Sequence, residues 1–491
     1  MRPLRSIPAL CLAAVGLAAP SRAWSAPPEE PIASEPVEPP TPIEPTEPDP
    51  PVEPAPVVEP EPPPPTPPAP ARVEAPVPHV DANAVAAAKP ADPPSRLRPP
   101  GEVERMAERP LGSGSFKPGK GITWQTADKR FSVNLGVVTQ WLYTFSDVHP
   151  RKPREQNTSQ MFEIRRARFI IQGNVFTEHI KYYAQAQFSP RDLGIQDGKI
   201  TQSPVFLWYT TFDRFRDFTP VVGVQWVPFS HQRTAPITKL QFVDFSLASQ
   251  EFGLERDIGV QLMSNDIGGL GKLKYHAGVF MGEGVQFIKP TDVGMVYVGR
   301  LEVLPFGDFD DYPEVDFNRR LKPKLAISAG YAYDHGDRRN RPIGGAPGLG
   351  VPFADLGTTD AHNATADVIF KMAGFSFLGD FWFRHGKRHS GEAEDAMTGN
   401  DIAVELARNG IGGTAQAGFL IPRVPFEIAG RYSGVRPIGN ATSLLALNEA
   451  GPALSYYFYE HSVKLQLDYH HGWGERNVRT DKLRLQLTVT F

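Results

Sequence analysis

Leu483-Arg-Leu-Gln-Leu-Thr-Val-Thr-Phe491 alternates apolar and polar residues without a break. Successive side chains of a β-strand point to opposite faces of the sheet, so a period of two gives this segment one apolar face and one polar face. The apolar face begins at Leu483 and ends at Phe491, and the polar face carries Arg484. The pattern predicts a strand with apolar surroundings on one side and water on the other.

The same two-faced pattern begins at Phe131-Ser-Val-Asn-Leu, the first of its occurrences. Between these two ends it recurs in short segments that are separated by Gly, Pro, Asp and Asn clusters. We therefore predict sixteen strands, at residues 131–145, 161–175, 179–189, 200–212, 218–227, 257–265, 271–281, 294–304, 324–334, 360–371, 375–385, 410–421, 425–434, 452–459, 461–470 and 482–491.

The connections between these segments differ in length according to whether they are even-numbered or odd-numbered along the chain. Numbered from the first strand, even connections are mostly short, such as 176–178 and 422–424, and odd connections are mostly longer, such as 228–256. The exception is 305–323, a long even connection. Short turns at one end and long loops at the other are typical of outer-membrane barrels.

The predicted fold class is all-β: a 16-stranded antiparallel transmembrane β-barrel that follows a disordered, proline-rich segment. No stretch after residue 130 reaches the ~18 apolar residues that a membrane-spanning helix needs. In hydrocarbon every backbone polar group needs a partner, so an amphipathic sheet must close on itself. A barrel of this size is too wide for side chains alone to fill, which predicts an aqueous channel.

Residues 1–26 read as an export signal, with Arg2 and Arg5 ahead of a short apolar core and small residues near Ala23 and Ala26. The single cysteine, Cys11, lies inside that core. Its position is too early for a lipoprotein site, and the mature chain would contain no disulfide and no thiolate chemistry.

Residues 27–121 are predicted to be a disordered periplasmic segment and linker, ahead of a barrel domain at 122–491. Positions 27–70 hold 21 prolines, and proline fixes φ and donates no backbone hydrogen bond, so an extended spacer is expected. Residues 1–100 carry 7 Lys/Arg against 13 Asp/Glu, whereas the rest of the chain is close to neutral. Such a segment is either a passive spacer or a tether that reaches peptidoglycan through residues 27–100.

Strand parity also predicts which charges face the lumen, because Arg or Lys on the lipid face near the midplane costs ~2–4 kcal/mol. The basic wall positions are Arg166, Arg168, Lys181, Lys274, Arg300, Arg384, Arg431, Lys464 and Arg484. The acidic ones are Asp257, Glu302, Asp380, Glu427 and Asp468. The basic excess favours anions in a pore, while pairing of these charges across strands is the competing interpretation.

Three motifs occur in order in the first half of the predicted barrel. They are Arg165-Arg166-Ala167-Arg168, then Val222-Gly-Val-Gln-Trp-Val-Pro-Phe-Ser230, then Glu255-Arg-Asp-Ile-Gly-Val260. Together they resemble the phosphate-selective porin O and P family, over about residues 120–491. The resemblance implies a sixteen-stranded outer-membrane barrel, a homotrimer, and passage of anions such as phosphate and polyphosphate.

The resemblance also implies that the third long loop, 228–256, folds into the barrel and narrows it. This loop offers His231, Arg233 and Lys239 as candidate basic groups, together with Asp244 and Glu251. Family members have a denser run of basic residues here, and this departure argues against strict phosphate selectivity.

Our leading hypothesis is a passive anion-permeable porin in the bacterial outer membrane. Its expected partners are the lipid bilayer, lipopolysaccharide and small anions; we expect no nucleic acid, cofactor or metal. The alternatives are a weakly selective general porin, a barrel that anchors a cell-wall tether, and an outer-membrane enzyme. The chain has neither Gly-x-Ser-x-Gly nor His-Glu-x-x-His, and we expect no catalytic residues.

Overall fold

The computed structural model describes residues 112–149, 157–196, 199–200, 202–282, 284, 294–307, 309, 312–341, 352–393, 402, 404–475 and 478–491. The predicted export signal, and the proline-rich segment and linker as far as residue 111, lie outside the described residues. Everything below concerns the described part of the chain.

Alternating apolar and polar residues form strands throughout this part of the chain. In chain order the strands are β1 Ser113–Lys117, β2 Gly121–Gln125, β3 Ser132–His149, β4 Thr158–Asn174, β5 Ile180–Gln187, β6 Ile195–Gln196, β7 Lys199–Ile200, β8 Val205–Phe212, β9 Thr219–Trp226, β10 Arg256–Ser264, β11 Leu273–Phe280, β12 Val296–Val303, β13 Lys324–Asp337, β14 Thr358–Met372, β15 Phe375–His389, β16 Gly410–Leu420, β17 Phe426–Pro437, β18 Leu447–Tyr459, β19 Val463–Gly474 and β20 Arg479–Thr490.

Sixteen of these strands, β3–β5 and β8–β20, form one antiparallel sheet in which each pairs with the next. β20, the last of the sixteen, pairs with β3, the first of them, with Leu487 opposite Trp141, so the sheet closes into a ring. Each of the sixteen corresponds to one predicted segment. The prediction of a closed 16-stranded antiparallel β-barrel is confirmed.

The alternation puts apolar side chains outside and polar ones inside, as β12 illustrates. Arg300 and Glu302 are buried on the inner face, while Tyr297 and Leu301 are about half exposed on the outer face (50% and 48%). This is the reverse of a soluble protein, in which the apolar face is the buried one. An outer surface of this kind suits hydrocarbon, and ring closure leaves no unpaired sheet edge in it.

Helices contribute little to the described structure. In the third long connection a four-residue helix, His231–Thr234, precedes a six-residue helix, Leu247–Phe252. Among the described residues no helix is long and apolar enough to cross a membrane.

The connections differ between the two ends of the barrel. At one end, here called the turn end, most are short, such as residues 373–374 and 460–462. The opposite end, the loop end, carries the longer ones, including residues 188–204 and 227–255. The connection from β12 to β13, residues 304–323, remains the long exception at the turn end.

A hairpin precedes the sixteen strands, and its first part falls within the predicted linker, 27–121. It consists of β1 and β2, with Ser113 opposite Gln125. β3 extends beyond the end of β20, and β2 pairs with this extension, with Ile122 opposite Leu135. The hairpin therefore supplies hydrogen-bond partners for strand backbone that β20 is too short to reach.

Candidate functional site: an arginine-lined cavity inside the barrel

Residues 227–255, here called the inward loop, lie inside the barrel, as the family resemblance implied. The loop leaves β9 and returns to β10, and its base is closed by a hydrogen bond from Val227 N to Glu255 O of 3.1 Å. From there it crosses to the opposite wall. Val243 N donates to Asp468 on β19 at 3.0 Å, and Ala248 N donates to Ser433 on β17 at 3.0 Å.

The helix Leu247–Phe252 fixes the far side of the inward loop. It begins at Ser246, whose hydroxyl accepts a hydrogen bond from Ser249 N at 3.2 Å, the usual N-cap arrangement. Phe252 at its end is buried in an apolar cluster. Gly412 on β16 makes room for it, since a Cβ there would lie 2.7 Å from the Phe252 ring. The loop is therefore packed against the wall rather than free in the lumen.

A cavity of about 340 Å³ lies between the inward loop and the wall formed by β3, β4, β5, β8 and β9. We call it the arginine cavity, because its charged lining residues are six arginines and three carboxylates, a net charge of +3. The arginines are Arg165, Arg166, Arg168, Arg191, Arg233 and Arg256; the carboxylates are Asp192, Asp244 and Glu255.

A β-bulge explains why two consecutive arginines face the same cavity. Gln140 on β3 pairs with Arg166, but the next residue, Trp141, pairs with Ile164. Arg165 is thus the extra residue of the bulge, where the period of two is interrupted. Both arginines are consequently buried on the inner face.

Each carboxylate of the cavity is bound to an arginine. Arg165 Nη2 lies 2.8 Å from Asp244, and Arg168 donates to both oxygens of Asp192 at 3.0 and 3.2 Å. Arg233 Nη1 donates to Glu255 at 2.6 Å. Arg166 and Arg256 share two of these carboxylates at longer range, 3.8 Å from Asp244 and Glu255. Six arginines with only three carboxylates among the lining residues leave the net charge of the lining positive.

Burial and neighbouring charge act in opposite directions on Asp244, which lies in the inward loop. Burial raises the pKa of its carboxyl, but Arg165 and Arg166 lower it by more, so the pKa lies well below its ordinary value. Asp244 is therefore ionised near neutral pH, and the cavity keeps its mixed charge.

Phe206 on β8 gives the arginines an apolar support. The guanidinium carbons of Arg168 and Arg256 lie 3.6 and 3.7 Å from the centre of its ring. Stacking of this kind holds a planar guanidinium in a fixed orientation. Arg191, in the connection at the loop end, is the most exposed of the six, with 48% of its side chain accessible, and it pairs with Glu163 at 3.2 Å. It marks the side of the cavity nearest the loop end.

A second cavity, of about 260 Å³, shares Tyr209, Trp226 and Thr234 with the arginine cavity. Its lining includes Thr211, close to the turn end, and Arg300 on β12. The two cavities therefore follow one another along the same side of the lumen. We call this side, the inner wall of β3–β5 and β8–β12, the open side of the barrel.

Three of the eleven predicted site residues, Arg166, Arg168 and Arg233, line the arginine cavity. Arg300 lines the second cavity and makes two hydrogen bonds to Asp367, at 2.7 and 2.8 Å. Lys181 lies near the turn end, half exposed, and pairs with Asp213.

Three more predicted residues hold the inward loop against the wall. Arg384 lies 3.7 Å from Glu251, Arg431 Nη1 donates to Asp244 O at 2.9 Å, and Lys464 Nζ donates to Leu240 O at 2.7 Å. The structure thus brings these cations to the loop backbone and side chains, away from the two cavities described above.

The remaining predicted residues differ in their contacts. Lys274 Nζ donates to the Tyr312 hydroxyl at 2.8 Å, and Arg484 makes two hydrogen bonds to Asp468, at 2.8 and 2.7 Å. The Lys239 side chain, in the inward loop, is half-buried and has no ion pair within the described part of the chain. All five predicted acidic wall residues are buried.

Sequence reasoning missed Arg165, Arg191 and Arg256 as members of the site. Arg165 and Arg256 were within the quoted motifs, but strict alternation assigned the inner face to their neighbours Arg166 and Asp257. Arg191 lies in a connection, where parity gives no information. No cluster of three or more His, Cys, Asp or Glu suited to a metal ion occurs in the residues that the structure describes.

Several solved structures have a similar fold. The anion-selective porin from Comamonas acidovorans is 10% identical, with a TM-score of 0.49, over 74% of this chain and 100% of that chain. The outer membrane channel DcaP of Acinetobacter baumannii is 10% identical, with a TM-score of 0.48, over 75% and 99%. OmpT of Vibrio cholerae is 9% identical, with a TM-score of 0.45, over 73% and 98%. Structural similarities at this level of sequence identity do not indicate the function of this chain.

Among curated proteins none matches the chain. A family model does match: residues 133–284 fit the model of the family described as phosphate-selective porin O and P. The matched range runs from β3 to just beyond β11 and contains all three motifs, the inward loop and the arginine cavity. The resemblance of this chain to the phosphate-selective porin O and P family is therefore confirmed over residues 133–284.

Proposed function

We propose that this barrel is an outer-membrane channel through which small anions diffuse passively, with the arginine cavity as its selective passage. The observation that carries the proposal is the excess of six arginines over three carboxylates around a cavity on the open side of the lumen. Positive charge lining a narrow, low-dielectric passage concentrates anions and repels cations.

Phosphate and polyphosphate are the solutes that the family resemblance suggests, and the chemistry of arginine suits them. The guanidinium fork donates two parallel hydrogen bonds to a phosphate. Arg166, Arg191 and Arg256 are the candidates, because the other three arginines are engaged in short contacts with the cavity carboxylates. A channel must release its solute as readily as it binds it, and these pairs keep the net charge modest.

The location follows from the surface and the connections. The apolar outer face suits a bilayer, and in outer-membrane barrels the short turns face the periplasm. The turn end would then be periplasmic, with residues 27–121 on that side, and the loop end would meet lipopolysaccharide. A homotrimer, the usual assembly of the family, and contact of residues 27–100 with peptidoglycan complete the proposal.

A weakly selective general porin with a cell-wall-tethering N-terminal segment is the second candidate. The pairing of Asp192, Asp244 and Glu255 with arginines favours it, since each pair cancels charge that would otherwise select anions. The two candidates differ in the size of the anion preference and in whether phosphate binds inside.

Planar-bilayer recording of the purified full chain tests both. In a KCl gradient we expect a zero-current potential of the sign given by chloride permeation, and partial block of the chloride current by millimolar phosphate. Anion preference without phosphate block would favour the second candidate. Cation preference would contradict anion passage altogether. Deleting residues 27–100 should leave the conductance unchanged and abolish peptidoglycan association.

A further inference from the structure

The long connection at the turn end, residues 304–323, has its own buried core. It is described at 304–307, 309 and 312–323, and we call it the turn-end segment. Leu304, Phe309 and Val315 are completely buried, and Glu314 and Asp316 are nearly so. A surface turn would expose such residues, so the segment must lie against another part of the protein.

Its apolar side chains pack on the inner wall of the barrel. Leu304 and Phe309 form a cluster with Ile369 on β14 and Leu378 on β15. Val315 forms another with Leu420, at the end of β16, and Tyr457 on β18. Lys274 on β11 also donates to Phe309 O, at 3.0 Å, and to the Tyr312 hydroxyl. The turn-end segment therefore enters the lumen and covers the wall from β11 to β18.

Hydrogen bonds in both directions between the segment and the wall fix its position. Lys371 Nζ on β14 donates to Val315 O at 2.9 Å. Asp316 accepts from Gly374 N at 2.6 Å, and Arg319 Nη1 donates to Leu420 O. Displacing the segment would take these partners away from Lys371 and Asp316, which are both buried, and a buried charge that loses partners is costly.

The turn-end segment meets the inward loop in the middle of the barrel at Glu314. One oxygen of this carboxylate accepts hydrogen bonds from Gln241 N at 2.7 Å and from Gln416 Nε2 at 2.9 Å. Glu314 N donates to Lys239 O at 3.2 Å. Two segments that enter from opposite ends of the barrel are thus joined by direct hydrogen bonds.

Together they fill one side of the lumen, the inner wall of β13–β19, which we call the packed side. Its wall side chains, among them Asp380, Glu427 and Gln466, are almost fully buried. Neither of the two cavities of the open side is lined by any residue of the turn-end segment or of β13–β20.

We propose that the turn-end segment is a second constriction, which closes the packed side from the turn end and confines solutes to the arginine cavity. It determines selectivity without touching the solute, because two carboxyl groups of the wall beside it, Asp380 and Glu427, outnumber the one buried lysine of β13–β18, Lys371. Asp367 on the same wall is already bound to Arg300. This inference rests on the proposed anion channel and extends it.

The test replaces residues 306–321 by Asn-Gly, a dipeptide that joins antiparallel strands in a tight turn. In the full chain, with folding checked by sheet circular dichroism and by resistance to detergent, we expect the single-channel conductance to rise about twofold, since a barrel of this size holds an aqueous channel when unobstructed. The chloride-to-potassium permeability ratio should fall, because the acidic wall becomes accessible.

A point variant keeps the proposal testable if the shortened barrel does not fold. Glu314→Ala removes the side-chain hydrogen bond to Gln241 N, which leaves the backbone bond to Lys239 O as a link to the inward loop, and should raise conductance and current noise by less than the deletion. Leu321→Ala, at a position 83% exposed in the same segment, is the matched control and should change neither. If the wild type conducts anions but folded Glu314→Ala and the folded deletion keep its conductance and selectivity, the second constriction is wrong. A wild type that does not conduct at all would instead refute the proposed channel.

Discussion

The open and packed sides of this barrel are built from the same kind of strand, yet basic residues on the two sides have different surroundings. On the packed side Arg384, Arg431 and Lys464 contact the inward loop. On the open side Arg166 and Arg256 also lie near carboxylates of the inward loop, 3.8 Å from Asp244 and Glu255, but both line a cavity. The comparison teaches that an inward-facing cation can serve a passage only where it borders open space, whether or not it also has a partner.

Desolvation explains the difference. A charge taken out of water costs several kcal/mol unless a partner compensates for it, so cations beneath the inward loop must bind its carbonyls and carboxylates. These cations line neither cavity and are unavailable to a passing anion. Anion preference should therefore depend on the arginines of the open side and hardly at all on those of the packed side.

The largest expected effect is on stability, on the packed side. Phe252→Ala should lower the free energy of unfolding by about 3–5 kcal/mol, the range for truncating a buried aromatic side chain. Guanidinium unfolding in detergent, followed by tryptophan fluorescence, measures it. Val404→Ala, at an exposed loop position, is the control and should cost about 0.5 kcal/mol or less. Equal effects of the two substitutions would mean that the Phe252 side chain is not tightly packed against the wall.

The next effect is on selectivity, on the open side. Arg166→Glu changes the cavity by two charges, and a unit charge acts with about 1.7 kcal/mol over ~10 Å at an effective dielectric of 20. We expect the chloride-to-potassium permeability ratio to fall at least about tenfold, since ~1.4 kcal/mol corresponds to that factor. Zero-current potentials measure it. Lys181→Glu makes the same charge change near the turn end, outside both cavities, and should have a much smaller effect.

A substitution of opposite sign sharpens the comparison. Asp192→Asn removes one of the three carboxylates and leaves Arg168 with a neutral acceptor. The net charge of the cavity rises by one, so the anion preference should increase by a few-fold in the same recordings. A decrease would show that the position of Arg168, rather than the charge of the cavity, sets the selectivity.

The smallest expected effect concerns Arg191. Its side chain is 48% exposed and paired with Glu163, so water and salt screen it. Arg191→Gln should reduce anion preference slightly in dilute KCl and not detectably near 1 M, where the Debye length is about 3 Å. An effect as large as that of Arg166→Glu at both concentrations would contradict this placement.

The strands of the wall could be predicted from sequence because the two faces of the barrel wall have different surroundings. Each strand residue must suit either the hydrocarbon outside or the lumen inside, and this requirement produces an alternation of apolar and polar residues with a period of two. A period of two does not reveal local irregularities such as bulges and short hairpins. The bulge at Arg165 reverses the parity, and the hairpin at 113–125 is too short and glycine-rich to show a sustained period.

The start of β18 also differed from the prediction. The predicted segment 452–459 begins at Pro452, and the first residue of a strand is one of the few strand positions that proline usually takes. β18 begins at Leu447 instead, and the register with β19 passes from Ala450 to Ala453 without pairing the residues between them. Gly451 permits the close approach, since a Cβ there would lie 1.7 Å from Tyr469 O.

The filling of the packed side could not be predicted from alternation at all. It depends on contacts between residues far apart in the chain, such as Glu314 with Gln241 and Lys464 with Leu240. The sequence showed only that 304–323 was too long for a turn. Strand periodicity says which face a side chain occupies, and long-range packing decides what that face meets.

One matched pair of substitutions tests the central claim most directly. Arg166→Gln and Arg384→Gln each remove one positive charge from the inner wall, the first on the open side and the second on the packed side. With both variants folded, the zero-current potential in a KCl gradient should shift towards the potassium potential for Arg166→Gln and stay at the wild-type value for Arg384→Gln. Equal shifts, or a shift for Arg384→Gln alone, would contradict the assignment of anion passage to the arginine cavity.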